Sequence, residues 1–204
     1  MNIQNITIGR VAFAAAVTGG LGLLFLVVMF AFQMTGLSPV FFGTLNDIAN
    51  GVMALLGSVL AVLLFTHYRA QFGLPHYLFL VLAILGGAVA IWGSVLVISS
   101  RTGFVLAGLY SAAGFGLIGF WLAAFCIALR GSSTLSPGFI TYGIVTGVTM
   151  ALGLGGLPSL VRGADGFEQI PLFQSILWST GSLAWLILQP IWYFLLSRVM
   201  LKAV

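Results

Sequence analysis

The chain has 204 residues, of which 61% are hydrophobic and only 5% carry a charge. A soluble domain carries roughly 25% charged residues, so this composition excludes both an ordinary soluble domain and a disordered chain. The net charge of +4 comes from scattered residues. Because Lys and Arg nowhere form a phosphate-binding patch, we expect no nucleic-acid partner. The remaining class is a multi-pass protein with the lipid bilayer as its surroundings.

The apolar runs predict an all-α bundle of membrane-spanning helices in one transmembrane domain, residues 1–204. A helix that crosses a bilayer needs roughly 20 apolar residues. Runs such as Leu21–Phe32 are apolar on every face, unlike the alternating strands of a barrel. Six stretches qualify: Val11–Gln33, Leu45–Thr66, Tyr77–Ile98, Phe104–Leu129, Phe139–Val161 and Phe173–Ser197.

The basic residues predict the orientation of the bundle. Cytoplasmic loops carry an excess of Lys and Arg. Five basic residues lie on the side that the two termini share, and two lie on the other: Arg10, Arg69, Arg130, Arg198 and Lys202 against Arg101 and Arg162. The sequence therefore predicts that both termini are cytoplasmic.

Small residues recur at four-residue spacing and predict close packing between spans three, four and five. Such stripes let helix backbones approach each other in a bilayer, where hydrophobicity does not drive association. They serve packing within the chain, or one of them faces a partner subunit or a second copy. The stripes are Gly86, Ala90 and Ser94; Gly108, Ala112 and Gly116; and Gly143, Gly147, Ala151 and Gly155.

Two prolines predict breaks within spans. Pro158 follows a glycine-rich stretch in span five, and Pro190 follows Gln189 in span six. Proline removes a backbone hydrogen bond and kinks a helix. In a transporter such a break can expose backbone carbonyls to a substrate, whereas elsewhere a neighbouring side chain satisfies the freed group.

Asp47 is the acid that lies in or near a span, and it is the main candidate for a ligand or ion site. Ionisable groups in a membrane are costly and mark function by default. Asn46 precedes it and Asn50 lies one turn later, so a carboxylate and two amides could bind a proton, a cation or a polar head group. Alternatively, Thr44 is an N-cap and Asp47 occupies the third helical position, where it complements the helix dipole.

Catalytic signals are weak, so the sequence favours a protein without enzymatic activity, cofactor or metal. The single cysteine, Cys126, excludes an intrachain disulfide and a cysteine-based metal cluster. No nucleophile–base pair or glycine-rich phosphate loop is visible. His67 and His76 lie at the inner ends of spans two and three. They are either interfacial residues or, as a minor alternative, the axial ligands of a haem.

Two segments carry a resemblance. One is Gly43–Asn50, which leads into a span ending at Tyr68 and Arg69; the other comprises Gly116–Leu122, Arg130 and Leu135–Phe139. Together they resemble a broad group of bacterial multi-pass membrane proteins defined by a domain of unknown function. The resemblance implies a bacterial plasma membrane and carries no activity, substrate or catalytic residue.

Three classes of function remain, in this order. The first is a non-catalytic subunit or scaffold of a membrane complex, which binds partners through its glycine stripes. The second is a small transporter or channel for a solute or ion, with a polar path lined by Asp47, Asn46, Asn50, Gln174 and Gln189. The third is a haem protein or other membrane enzyme. A transport path usually needs more polar residues than these, so a polar cavity at Asp47 would reverse the first two.

Overall fold

The computed structural model describes residues 3–131 and 135–202. It is all-helical, with 87% helix. Within the described residues, six helices are long and apolar enough to cross a membrane, as predicted. They are α1 (Ile3–Met34), α2 (Val40–His67), α3 (Pro75–Ile98), α4 (Phe104–Ala128), α5 (Pro137–Val161) and α6 (Leu172–Lys202).

The helices extend beyond the apolar runs that predict them. Helix α1 begins at Ile3 rather than Val11, and α2 begins at Val40 rather than Leu45. Once a helix is nucleated, each added residue gains a backbone hydrogen bond, so the polar flank of α1 and the mainly apolar residues 40–44 of α2 join their helices. Local residues set two of the helix ends. Gly36, with φ of 76°, follows the end of α1. The hydroxyl of Ser136 caps the start of α5 by accepting a hydrogen bond from the amide of Phe139 at 3.3 Å.

The helices pack in chain order, and α1 closes the bundle against α6. A Cβ on Gly9 would lie 2.8 Å from Leu201. The beginning of α1 and the end of α6 therefore lie at the same end of the bundle, here called the terminal end. The opposite end, here called the loop end, carries the α1–α2, α3–α4 and α5–α6 connections.

Helix α4 lies inside the bundle. It contacts α2, α3, α5 and α6, and 72% of its most apolar segment is buried, against 28% for α1. Its sequence explains this position, because small residues such as Ala112, Gly114 and Gly119 let neighbours approach from several sides. The other helices keep large apolar side chains on their outer faces, where lipid would cover them.

Glycine contacts bring the backbones of neighbouring helices close together. A Cβ on Gly86 of α3 would collide with the carbonyl oxygen of Gly114 on α4. On the other side of α4, a Cβ on Gly147 of α5 would lie 2.6 Å from the carbonyl oxygen of Gly119 and 2.6 Å from the amide nitrogen of Ala123. Only glycine therefore fits at these crossings without moving the helices apart.

The remaining residues of the predicted stripes also face the chain itself. A Cβ built on Gly116 would lie 2.9 Å from Leu154. One on Gly143 would lie 2.6 Å from Trp192, and one on Gly155 would lie 2.5 Å from Leu177. Gly108 faces Trp178, Ala112 faces Gly153, and Ala151 lies beside Gly119. The stripes of α4 and α5 are thus covered by helices of the same chain.

Both predicted breaks coincide with departures from α-helical geometry. In α6 the residues Ala184–Leu188 form a π-turn immediately before Pro190. Proline has no amide hydrogen, and its ring collides with the carbonyl four residues earlier, so the preceding turn widens. The hydroxyl of Tyr142 donates to the carbonyl oxygen of Leu188 at 3.1 Å. In α5 the residues Leu152–Gly156 form a 3₁₀ turn before Pro158.

Candidate functional site

A cavity of about 320 Å³ lies between α1, α2, α4 and α6, toward the loop end of the bundle. Helix α2 contributes polar side chains, α4 and α6 contribute hydroxyl groups, and aromatic rings complete the wall. Its principal lining residues are Leu26, Phe30, Asn46, Asp47, Asn50, Phe104, Gly108, Ser111, Phe167, Trp178, Ser179, Ser182, Trp185 and Leu186.

Asp47 lines this cavity and is not the first-turn cap that the sequence allowed. Helix α2 begins at Val40, so Asp47 lies in its second full turn. The hydroxyl of Thr44 donates back to the carbonyl oxygen of Val40 at 3.0 Å and caps nothing. The cap prediction was wrong because the apolar residues Val40, Phe41 and Phe42 are themselves helical, so the helix begins a full turn before Thr44.

The amides predicted to accompany Asp47 lie with it. Asn46 and Asn50 line the same cavity, with exposed fractions of 3% and 7%. The Nδ2 of Asn46 donates to a carboxylate oxygen of Asp47 at 3.5 Å. Asp47 also borders a groove on the outer side, between α2 and α3, which contains Ser94. The carboxylate therefore lies where the cavity and this groove meet.

Within residues 3–131 and 135–202, two buried polar groups that belong to cavity-lining residues have no hydrogen-bond partner. They are the Oδ1 atom of Asn46 and the indole Nε1 of Trp185, whose side chain is 5% exposed. A buried polar group without a partner costs roughly 1–3 kcal/mol. By contrast, the indole of Trp178 donates to the carbonyl oxygen of Gly108 at 3.3 Å. Both unpartnered atoms are buried from water, so the two side chains would have to turn toward the cavity before a solute or water could satisfy them.

A second cavity of about 370 Å³ lies nearer the loop end. It shares Phe30, Phe104 and Phe167 with the first cavity. The rings of Phe30 and Phe104 meet edge to face, with centroids 6.2 Å apart. The three phenylalanines therefore stand between the Asp47 cavity and the loop end, and movement of their rings would change access to it.

The α5–α6 loop is attached to the start of α4 beside this aromatic boundary. The carboxylate of Asp165 accepts hydrogen bonds from the backbone amides of Gly103 at 2.6 Å and Leu106 at 3.0 Å. An acid at a helix N-terminus satisfies free amides and complements the helix dipole. This contact fixes the positions of Phe104 and Phe167 relative to each other.

Gln174 and Gln189 do not line the Asp47 cavity, so the predicted polar path through all five residues was wrong. Of the five, the cavity is lined by Asn46, Asp47 and Asn50, all on α2. Gln174 accepts a hydrogen bond from the hydroxyl of Ser159 at 2.6 Å. Gln189 is fully buried beside the π-turn, and its Nε2 donates to the hydroxyl of Tyr193 at 2.7 Å. The Ser159–Gln174 bond joins α5 to α6, and the Gln189–Tyr193 bond lies within α6, so neither glutamine extends the cavity.

The histidines lie at the terminal end, away from the Asp47 cavity. The ring of His67 packs edge to face on Tyr68, with centroids 4.7 Å apart, and that of His76 stacks on Phe72 at 5.0 Å. In the part of the chain that the structure describes, no group of three or more His, Cys, Asp and Glu is placed to hold a metal ion.

Helix α6 lines the cavity with residues other than the two glutamines that were predicted. Trp178, Ser182 and Trp185 are spaced four and three residues apart, and Ser179 lies one turn before Ser182. This spacing places them on one side of a helix. The signal was present in the sequence, but an isolated apolar span does not reveal which of its sides meets an acid on another helix. Ser111 of α4 lacks even that signal.

Comparisons with protein-family models, with curated proteins and with solved structures found no match.

Proposed function

We propose that the chain is a multi-pass membrane protein that binds a small solute in the Asp47 cavity, as a transporter or channel would. The observation that carries this proposal is the grouping of Asp47 with two nearly buried amides in a cavity of about 320 Å³. Ligand sites typically begin near 300 Å³ and combine apolar walls with a few polar groups. The cavity has this composition.

An intramembrane carboxylate needs a reason to persist, because a charge in a low dielectric is costly without a partner. In the described parts of the chain, Asp47 has no salt-bridge partner, and its hydrogen-bond contact is a long one from Asn46. An acid that served the fold would be expected to have structural partners, as Asp165 does. Asp47 instead lines open space, which supports a role in binding.

The aromatic boundary adds support for controlled access. Phe30, Phe104 and Phe167 separate the Asp47 cavity from the second cavity near the loop end. Helix α6, which supplies much of the wall, changes geometry at its π-turn just beyond Ser182. Such turns frequently occur at functional sites, and interrupted helices line the binding sites of many transporters.

The scaffold function, placed first on sequence alone, loses its main argument. It depended on glycine stripes that could face a partner, and the stripe residues on α4 and α5 contact helices of the same chain. The haem alternative gains no supporting contact, since His67 and His76 each pack on an aromatic neighbour. We therefore rank solute binding above both.

The proposed orientation places the terminal end in the cytoplasm and the Asp47 cavity toward the opposite side. The excess of Lys and Arg at the terminal end supports this arrangement. The sequence resemblance adds the proposal of a bacterial plasma membrane.

Native mass spectrometry of protein extracted gently from its own membrane tests the proposal. We expect a reproducible small-molecule adduct that is lost in Asp47→Asn and kept in Glu168→Gln. Glu168 is a suitable control because it is an exposed acid at the same end that does not line the cavity. Stoichiometric partner chains without a small molecule would contradict the proposal and support the scaffold function.

Cysteine labelling tests whether the cavity is open to water. Cys126→Ala provides a cysteine-free background. In that background, we expect a membrane-impermeant maleimide to modify Ser182→Cys from one side of the membrane. Thr146→Cys serves as the control, because Thr146 is fully buried and does not line the cavity. Equal protection of both cysteines would contradict an accessible site.

A further inference from the structure

The charge of the Asp47 cavity is one-sided. Among the described residues that line it, Asp47 carries the one formal charge, and none is Lys, Arg or His. An ionised carboxylate that leaves water requires a compensating positive charge nearby. Because the described lining supplies none, Asp47 either takes up a proton or pairs with a positive charge on the ligand.

Hydrogen-bond acceptors accompany the carboxylate. Among the described residues the buried Oδ1 of Asn46 has no partner, and the side-chain oxygen of Asn50 is a further acceptor one turn along α2; both oxygens lie beside Gly22 of α1. A ligand that donates several hydrogen bonds from one positively charged group suits this set, because ammonium groups donate and do not accept. The indole of Trp185 is the unpartnered donor in the wall, and a hydroxyl group of the ligand or a water molecule would satisfy it.

The remaining wall is apolar and rich in aromatic rings. Phe30, Phe104, Phe167, Trp178 and Trp185 all line the cavity. Aromatic faces attract cations, with Trp the strongest, and they also bury apolar surface. An inorganic ion would leave the apolar space between these rings unfilled. The wall therefore fits a ligand with an apolar body as well as a charged group.

The volume limits the size of that body. At about 320 Å³ the cavity lies at the small end of ligand sites, which span roughly 300–1,000 Å³. This matches a molecule with one aromatic ring or a short aliphatic chain.

We propose that the Asp47 cavity binds a small amphipathic organic cation: a primary or secondary ammonium group attached to one aromatic ring or a short aliphatic body. Asp47 pairs with the ammonium group, Asn46 and Asn50 accept its remaining hydrogen bonds, and the tryptophans pack on the body. This inference rests on the proposed function, because it names the class of solute that the same cavity accepts.

The test uses three probes that share a phenyl ring and differ in charge: 2-phenylethylammonium, 2-phenylethanol and phenylacetate. Binding to the full chain in lipid nanodiscs is measured by isothermal titration calorimetry, with empty nanodiscs as the blank for partition into lipid. We expect the cation to bind at least about tenfold more tightly than the alcohol, and phenylacetate to bind weakest, since one charge-assisted hydrogen bond accounts for such a ratio. The alcohol or phenylacetate binding as tightly as the cation would overturn the proposal.

Variants assign the effect to Asp47. Asp47→Asn should weaken the cation by about tenfold or more and leave the alcohol within about twofold. Glu168→Gln removes an acid at the same end and should leave all three affinities unchanged. A cation affinity that is insensitive to Asp47→Asn would overturn the proposal. The three-probe comparison on the unaltered chain stands even if Asp47→Asn fails to fold.

Labelling of Ser182→Cys by the maleimide, with and without each probe, shows whether the cation proposal alone fails or the proposed function fails with it. If the alcohol or phenylacetate protects this cysteine as well as the cation does, solute binding stands and the cationic class is wrong. If the cysteine reacts with no reagent and no probe binds, both proposals are wrong.

Discussion

The contact between Gly147 on α5 and the backbone of α4 makes a quantitative prediction. In Gly147→Ala the new methyl carbon would lie 2.6 Å from the amide nitrogen of Ala123 and 2.6 Å from the carbonyl oxygen of Gly119. Ordinary van der Waals contact begins at 3.4 Å. Both atoms belong to the backbone of a buried helix, so no side chain can rotate away, and the two helices must separate by about 0.8 Å.

Overpacking of this kind costs roughly 1–3 kcal/mol. For a chain of this length, about 1 kcal/mol corresponds to about 2–4 °C in melting temperature. We therefore expect Gly147→Ala to melt about 3–10 °C below the unaltered protein in a mild detergent, followed by tryptophan fluorescence.

Gly138→Ala is the matched control for this prediction. It makes the same substitution in the first turn of the same helix, where a Cβ would meet nothing within 4 Å. Alanine is also the better helix former, so the control should melt at the same temperature or slightly higher. Equal melting temperatures for Gly147→Ala and Gly138→Ala would refute the inferred backbone contact between α4 and α5.

Two further substitutions test contacts near the site. Asp165→Asn weakens the cap on the first backbone amides of α4 and should reduce stability by about 1 kcal/mol. Its control, Glu168→Gln, should change the melting temperature little. Equal effects of the two variants would argue against the cap. Tyr193→Phe leaves the Nε2 of Gln189 buried without its partner and should lower the free energy of unfolding by roughly 1–3 kcal/mol. If the unpartnered amide is the cause, the double variant Gln189→Leu, Tyr193→Phe should be more stable than Tyr193→Phe alone.

Part of the candidate site could be predicted from the sequence. An acid in an apolar span is conspicuous, and Asn46 and Asn50 follow from their positions one residue before Asp47 and one turn after it. These three residues do line the cavity. Gln174 and Gln189 seemed equivalent by residue type, but they contact Ser159 and Tyr193 instead. Polarity alone does not tell which helices meet, and therefore which polar groups share one cavity.

The sequence by itself determined the class of the protein and its six spans. These follow from hydropathy, because every backbone group in lipid must be satisfied within its own helix, and a span is therefore encoded locally. The departures at Pro158 and Pro190 are local for the same reason. The position of α4 inside the bundle, the pairing of Gly86 with Gly114, and the assembly of the Asp47 cavity from four helices were decided by tertiary structure alone. Lipid and protein interiors are about equally apolar, so composition does not distinguish a helix face that meets lipid from one that meets another helix.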